Sequence, residues 1–180
     1  MATTYELIAK QTLTGTATSV AFSSIPQIMD DMVLIVSARE AGNAAFSRVL
    51  FTFNDPPQST PISYRMLNAQ DVGGGTYGVT SGSGTTNVIS AYGVAQDYNT
   101  TANVFGSMEV YFPNYSSSSV NKSWSWHGNY ENNAVTPQMI SVGAGLWAST
   151  SPISKLTITT PAPSGFAVNS SFYLYGITKA

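Results

Sequence analysis

His127 is the one histidine of the chain and stands in the run Trp124-Ser-Trp-His-Gly-Asn-Tyr130. Any reaction that needs an imidazole base would have to use it. No serine occupies a Gly-x-Ser-x-Gly elbow, so a nucleophile for that base has no support in the residue pattern. Nine carboxylates are present: Glu6, Asp30, Asp31, Glu40, Asp55, Asp71, Asp97, Glu109 and Glu131. Glycoside hydrolysis needs two of them across one bond, and only Glu109 lies in a strongly apolar stretch. Its simpler reading is a strand residue that faces solvent or pairs with Arg39, Arg48 or Arg65. Asp30-Asp31 lacks the interleaved oxygen ligands of a calcium loop. Gly73-Gly74-Gly75 lacks the Lys-Ser/Thr that completes a phosphate loop. With no cysteine, thiolate metal sites and disulfides are excluded. The expectation is a protein with no catalytic, cofactor-binding or metal-binding set.

Aromatic residues are the remaining candidates for binding. Trp124, Trp126, Tyr130 and Tyr77, with Asn129, Asn132 and Asn133 as hydrogen-bonding neighbours, could stack on sugar rings as the sites of β-sandwich lectins do. Trp124 and Trp126 are two apart and share one face of a strand, a spacing that favours the alternative in which both fill the core. A second candidate is the Gly-, Ser- and Thr-rich tract from Asp71 to Thr86, which contains Gly73, Gly74, Gly75 and Tyr77. Its composition predicts a mobile loop. A loop of that length is either a contact element or a slack connector.

The elements that must position these residues read as strands. Asp31 to Arg39 has apolar residues on both faces and predicts a central strand buried on two sides. Around it, alternating patterns predict strands at Tyr5 to Leu13, Thr16 to Phe22, Phe46 to Phe53, Ile62 to Leu67 and Asn87 to Val94. Others follow at Val104 to Phe112, Ser123 to Gly128, Gln138 to Trp147, Leu156 to Thr159 and Ser171 to Ile177. Within Gln138 to Trp147, Ile140, Val142, Ala144 and Leu146 share one side. Gly143 and Gly145 leave the other side bare, as where a second backbone or sheet comes close. Only Ile25 to Asp31 could form a helical turn, and no fixed-period repeat occurs. About eleven short strands in one 180-residue domain predict an all-β, single antiparallel β-sandwich, jelly-roll-like in plan.

Charged residues make up 9% of the chain, with seven Lys and Arg against nine Asp and Glu and a net charge of −2. A typical domain carries about 25%. The basic residues are scattered singly, which argues against nucleic acid as a partner. No apolar run approaches the roughly 20 residues of a membrane-spanning helix. The first ten residues lack the basic region of a secretion signal, which predicts a protein made in the cytoplasm. A polar, uncharged exterior offers little repulsion to a neighbouring subunit and tolerates packing in an assembly.

Several fragments together resemble a group of small stand-alone β-sandwich virion proteins of tailed bacteriophages. They are Tyr5-Glu6-Leu7-Ile8, Phe22-Ser23-Ser24-Ile25-Pro26-Gln27 and Phe53-Asn54-Asp55, then Asn103-Val104-Phe105-Gly106-Ser107, Pro113-Asn114-Tyr115, Gly145-Leu146-Trp147 and Phe172-Tyr173-Leu174-Tyr175-Gly176-Ile177. The chain departs from the group at Asp55-Pro56-Pro57, where a glycine-containing turn is usual. The resemblance implies a non-enzymatic particle component on the virion surface, of the head-decoration or minor structural type. Its partners would be other virion proteins, either the major capsid protein or tail components. A homo-oligomer is expected, and a trimer would suit capsid three-fold positions. The alternative is a tail-fibre or receptor-binding tip that recognises host-surface glycan through the aromatic residues named above.

Overall fold

The computed structural model describes residues 4–42, 48–54, 62–71, 77–86, 89–92, 101–131, 138–161 and 163–178. Twelve strands run through them: β1 (Tyr5–Thr12), β2 (Ser19–Phe22), β3 (Asp31–Ala38), β4 (Arg48–Phe53), β5 (Ile62–Asp71), β6 (Tyr77–Thr86), β7 (Ile89–Tyr92), β8 (Gly106–Phe112), β9 (Lys122–Tyr130), β10 (Met139–Trp147), β11 (Leu156–Thr159) and β12 (Ser171–Ile177). They form an eight-stranded sheet in the order β1-β12-β3-β8-β9-β10-β5-β6 and a four-stranded sheet in the order β2-β11-β4-β7. Every pairing is antiparallel.

The large sheet divides between β8 and β9 into two halves of four strands, a first half β1-β12-β3-β8 and a second half β9-β10-β5-β6. Both halves meet the small sheet: Phe53 of β4 packs on Phe112 of β8 and on Trp124 and Trp147 of β9 and β10, and Ile62 of β5 belongs to the same core. The two layers make a β-sandwich.

Eleven of the strands coincide with alternating segments of the sequence. The twelfth, β6, lies in the Gly/Ser/Thr tract expected to be a loop. Tyr77 to Thr86 pairs residue for residue with Asp71 to Ile62, because backbone N–H and C=O groups need a partner whatever side chains they carry. Tyr77 is thus the first residue of a strand, and Gly73, Gly74 and Gly75 lie outside the described residues. Two further expectations change. The segment from Ile25 to Asp30 is bends and irregular backbone, with no helix. β3 is third in the sheet and buried on one face only for its full length: Met32, Leu34, Val36 and Ala38 point to the core, while Ile35 opens to the outside. Val33 on that outer face is buried between its register neighbours Tyr111 and Tyr175.

The core lies between the sheets. Phe53 of the small sheet is its junction, packing edge-on against Phe112 (ring centroids 5.9 Å apart) and Trp124 (5.6 Å), and tilted against Trp147 at 5.3 Å. Such aromatic pairs add to the stabilisation from area alone. Asn54, which follows at φ 61°, locks the end of β4: its Nδ2 donates to Pro152 O at 3.0 Å, and its Oδ1 accepts from Ser154 N at 2.8 Å. Asn tolerates this left-handed backbone better than most residues.

Candidate functional site: the outer face of the large sheet

Trp124, Trp126 and Tyr130 all point inward from β9, with 2%, 3% and 2% of their surface exposed. Trp124 and Trp126 fill the core between the sheets, where their rings have no face for a sugar; Tyr130 packs with Met139 in a separate small cluster and lines a depression with Asn129, Glu131 and Gln138. Opposite the two indoles stand Gly145 and Gly143 of β10, paired in register with Trp124 and Trp126. A Cβ at Gly143 would sit 2.1 Å from the Trp126 ring, and one at Gly145 would sit 2.1 Å from the Trp124 ring. The bare side of β10 is therefore filled by two indoles, where a second backbone was expected. Trp126 Nε1 reaches Ser141 Oγ at 3.3 Å, while Trp124 Nε1 has no partner among the described residues. Space rather than hydrogen bonding sets that ring.

With its glycine side inward, β10 turns its aliphatic side out. Ile140 is 62% exposed, Val142 45% and Leu146 39%; across the ladder Leu67 of β5 is 50% exposed. On the first half the same outer face carries Ile35, Tyr111, Tyr173, Tyr175, Leu7, Tyr5 and Lys10. This is a broad sheet face with aliphatic residues open to solvent on both halves, the kind of surface that marks an interaction site. It holds a shallow depression of about 560 Å³ over Val142, Gly143 and Ala144, bounded by Arg65, Leu67 and Ser125.

Between its halves runs a polar seam. Glu109 on β8 and His127 on β9 are direct cross-strand neighbours. His127 is exposed, Glu109 half-buried, and neither is held by a hydrogen bond or ion pair among the described residues. The arginines expected as partners for Glu109 are elsewhere. Arg39 donates to Thr101 O and Val104 O, both at 3.0 Å; Arg48 belongs to the small sheet; and Arg65 donates to Tyr64 O at 2.9 Å.

The buried polar groups act as pins. Asp31 accepts from Tyr111 Oη at 2.6 Å and from Asn114 N at 2.8 Å. That bond, followed by burial and the Asp31 charge, pushes the Tyr111 hydroxyl up to about 12. Lys122, fully buried at the start of β9, donates to the carbonyls of Ser117 (2.7 Å), Val120 (2.6 Å) and Thr150 (3.1 Å). Burial lowers its pKa, and three carbonyl dipoles stand in for the water it has lost. Glu40 is buried and accepts from Thr160 Oγ1. Among the described residues, no three His, Cys, Asp or Glu side chains gather as a metal would require.

The fold and this surface define an all-β sandwich protein with an extended, open sheet face. No protein-family model, curated protein or solved structure matches the chain.

Proposed function

We propose that this protein is a structural component of a bacteriophage virion that decorates or cements the capsid surface through protein–protein contacts. One observation carries the reading: the large sheet turns a wide face to the outside on which Ile140, Val142, Leu146 and Leu67 are each more than a third exposed. Left in water, such a face costs free energy and invites association; against neighbouring subunits it becomes a contact surface. The scarcity of charge across the chain and the resemblance to small virion proteins support the same conclusion.

Gold-labelled antibody against the protein, applied to purified particles in the electron microscope, tests the proposal. The expected outcome is regular labelling of the head, with the chain present in particle digests at a fixed copy number. Labelling confined to the tail tip would favour a receptor-binding role. Particles that lack the protein would remove the structural reading altogether.

A further inference from the structure

We infer that the outer face of the eight-stranded sheet is a self-association surface on which a second copy of this chain sits face to face, related by a two-fold axis parallel to the strands between β8 and β9. The inference deepens the structural reading above but does not depend on the particle.

The sheet order places four strands on either side of that line, β1-β12-β3-β8 and β9-β10-β5-β6. A two-fold axis there lays β8 over the partner's β9, β3 over its β10 and β12 over its β5. Because antiparallel ladders keep paired residues level, the register says which side chains meet. Glu109 and His127 are paired, so each Glu109 falls on the other copy's His127, giving two symmetric contacts of acid with imidazole. One strand further out, Ile35 pairs with Glu109 and Val142 pairs with His127, so Ile35 meets Val142. Beyond them Tyr173 meets Leu67. In the adjacent row, Tyr175 meets Arg65, an aromatic ring beneath a guanidinium. In the central row apolar thus falls on apolar and the Glu109–His127 seam falls on its own complement; one row away Ile140 lies level with Ser37. An isologous contact requires that self-complementarity.

Size agrees. Eight strands about 4.8 Å apart and about six residues tall give a face on the order of 800 Å², about what each partner contributes to a standard interface. Aligned sheets pack about 10 Å apart through such faces. A three-fold arrangement cannot close through face-to-face contacts of this kind, so the geometry favours a pair over the trimer that capsid three-fold positions would suit.

Sedimentation velocity and light scattering of the full chain across a concentration series provide the test. The expected species has twice the 19.1 kDa chain mass. Leu67→Arg, at an exposed position, should weaken association by on the order of tenfold or more while leaving the circular dichroism and melting curve unchanged. Glu109→Lys and His127→Glu should each weaken it comparably, and the double exchange Glu109→Lys/His127→Glu should restore it. Because Glu109 and His127 also adjoin within one sheet, the rescue counts for association only when the single and double variants keep the parent's melting curve. A monomer at every concentration, association indifferent to Leu67→Arg, or charge variants without rescue would overturn the inference, as would a monomer that binds glycan or a capsid protein on this face. A pair in solution that is absent from particles leaves this inference intact and removes the virion role; a monomer found on particles does the reverse.

Discussion

In the first half of the large sheet, Gly176 of β12 is closed over by Met29, whose Sδ stands 1.7 Å from where a Cβ would be. In the second half, Gly143 and Gly145 of β10 are closed over by the indoles of Trp126 and Trp124. The same need, filling the space left by a missing side chain, is met by a flexible thioether in one place and by rigid rings in the other. Methionine can turn aside at small cost; an indole wedged between two strands and Phe53 cannot. The outer faces are alike in kind: aliphatic residues are open on both halves, Leu7 (45%) and Ile35 (39%) on the first and Ile140 (62%), Leu67 (50%) and Val142 (45%) on the second. The difference between the halves therefore lies in how each fills the space over its glycines.

The largest test breaks the joint between the two halves. Phe53→Ala removes the ring that touches Phe112 on one side and Trp124 and Trp147 on the other. Chemical denaturation should show a loss of about 3–5 kcal/mol. Tyr111→Phe comes next, since it strips a donor from buried Asp31, and should cost about 1.5–3 kcal/mol. It also has a pH signature. The folded-state pKa of Tyr111 is raised from 10.0 to about 12, so its contribution is complete below pH 10 and is lost as pH rises through the folded value. Melting curves of the parent should fall over that window, and those of Tyr111→Phe should fall less.

The comparison sharpens at the glycines. Gly145→Ala forces a methyl into the Trp124 ring and should cost about 1–3 kcal/mol. Gly176→Ala meets the movable end of Met29 and should cost clearly less; equal losses would show that ring and thioether are equally fixed. At the bottom of the scale is Gly15→Ala, where a Cβ meets nothing within 4 Å. It should be neutral or stabilising by about 0.4 kcal/mol, through the unfolded chain alone.

Much of the fold was legible in the residues. Alternation of apolar and polar side chains marks eleven strands, since a half-buried strand imposes a period of two on its sequence. Tyr77 to Thr86 escaped because Gly, Ser and Thr carry no such alternation, and pairing with β5 uses backbone groups that every residue has. The exposed aliphatic face escaped for another reason. Ile140, Val142 and Leu146 are visibly on one side of their strand, but the period does not say whether that side is in or out. Two tryptophans on β9, needing the slot above Gly143 and Gly145, settle it.

Composition and periodicity by themselves determined an all-β, charge-poor sandwich with Trp124 and Trp126 on a common strand face, because those properties are local and repeat along the chain. Only the tertiary structure decided which face of each strand meets the core, that the glycine-rich tract is a paired strand, and that Glu109 adjoins His127. These depend on register between segments far apart in sequence, and register is fixed by how side chains share space across the sheet.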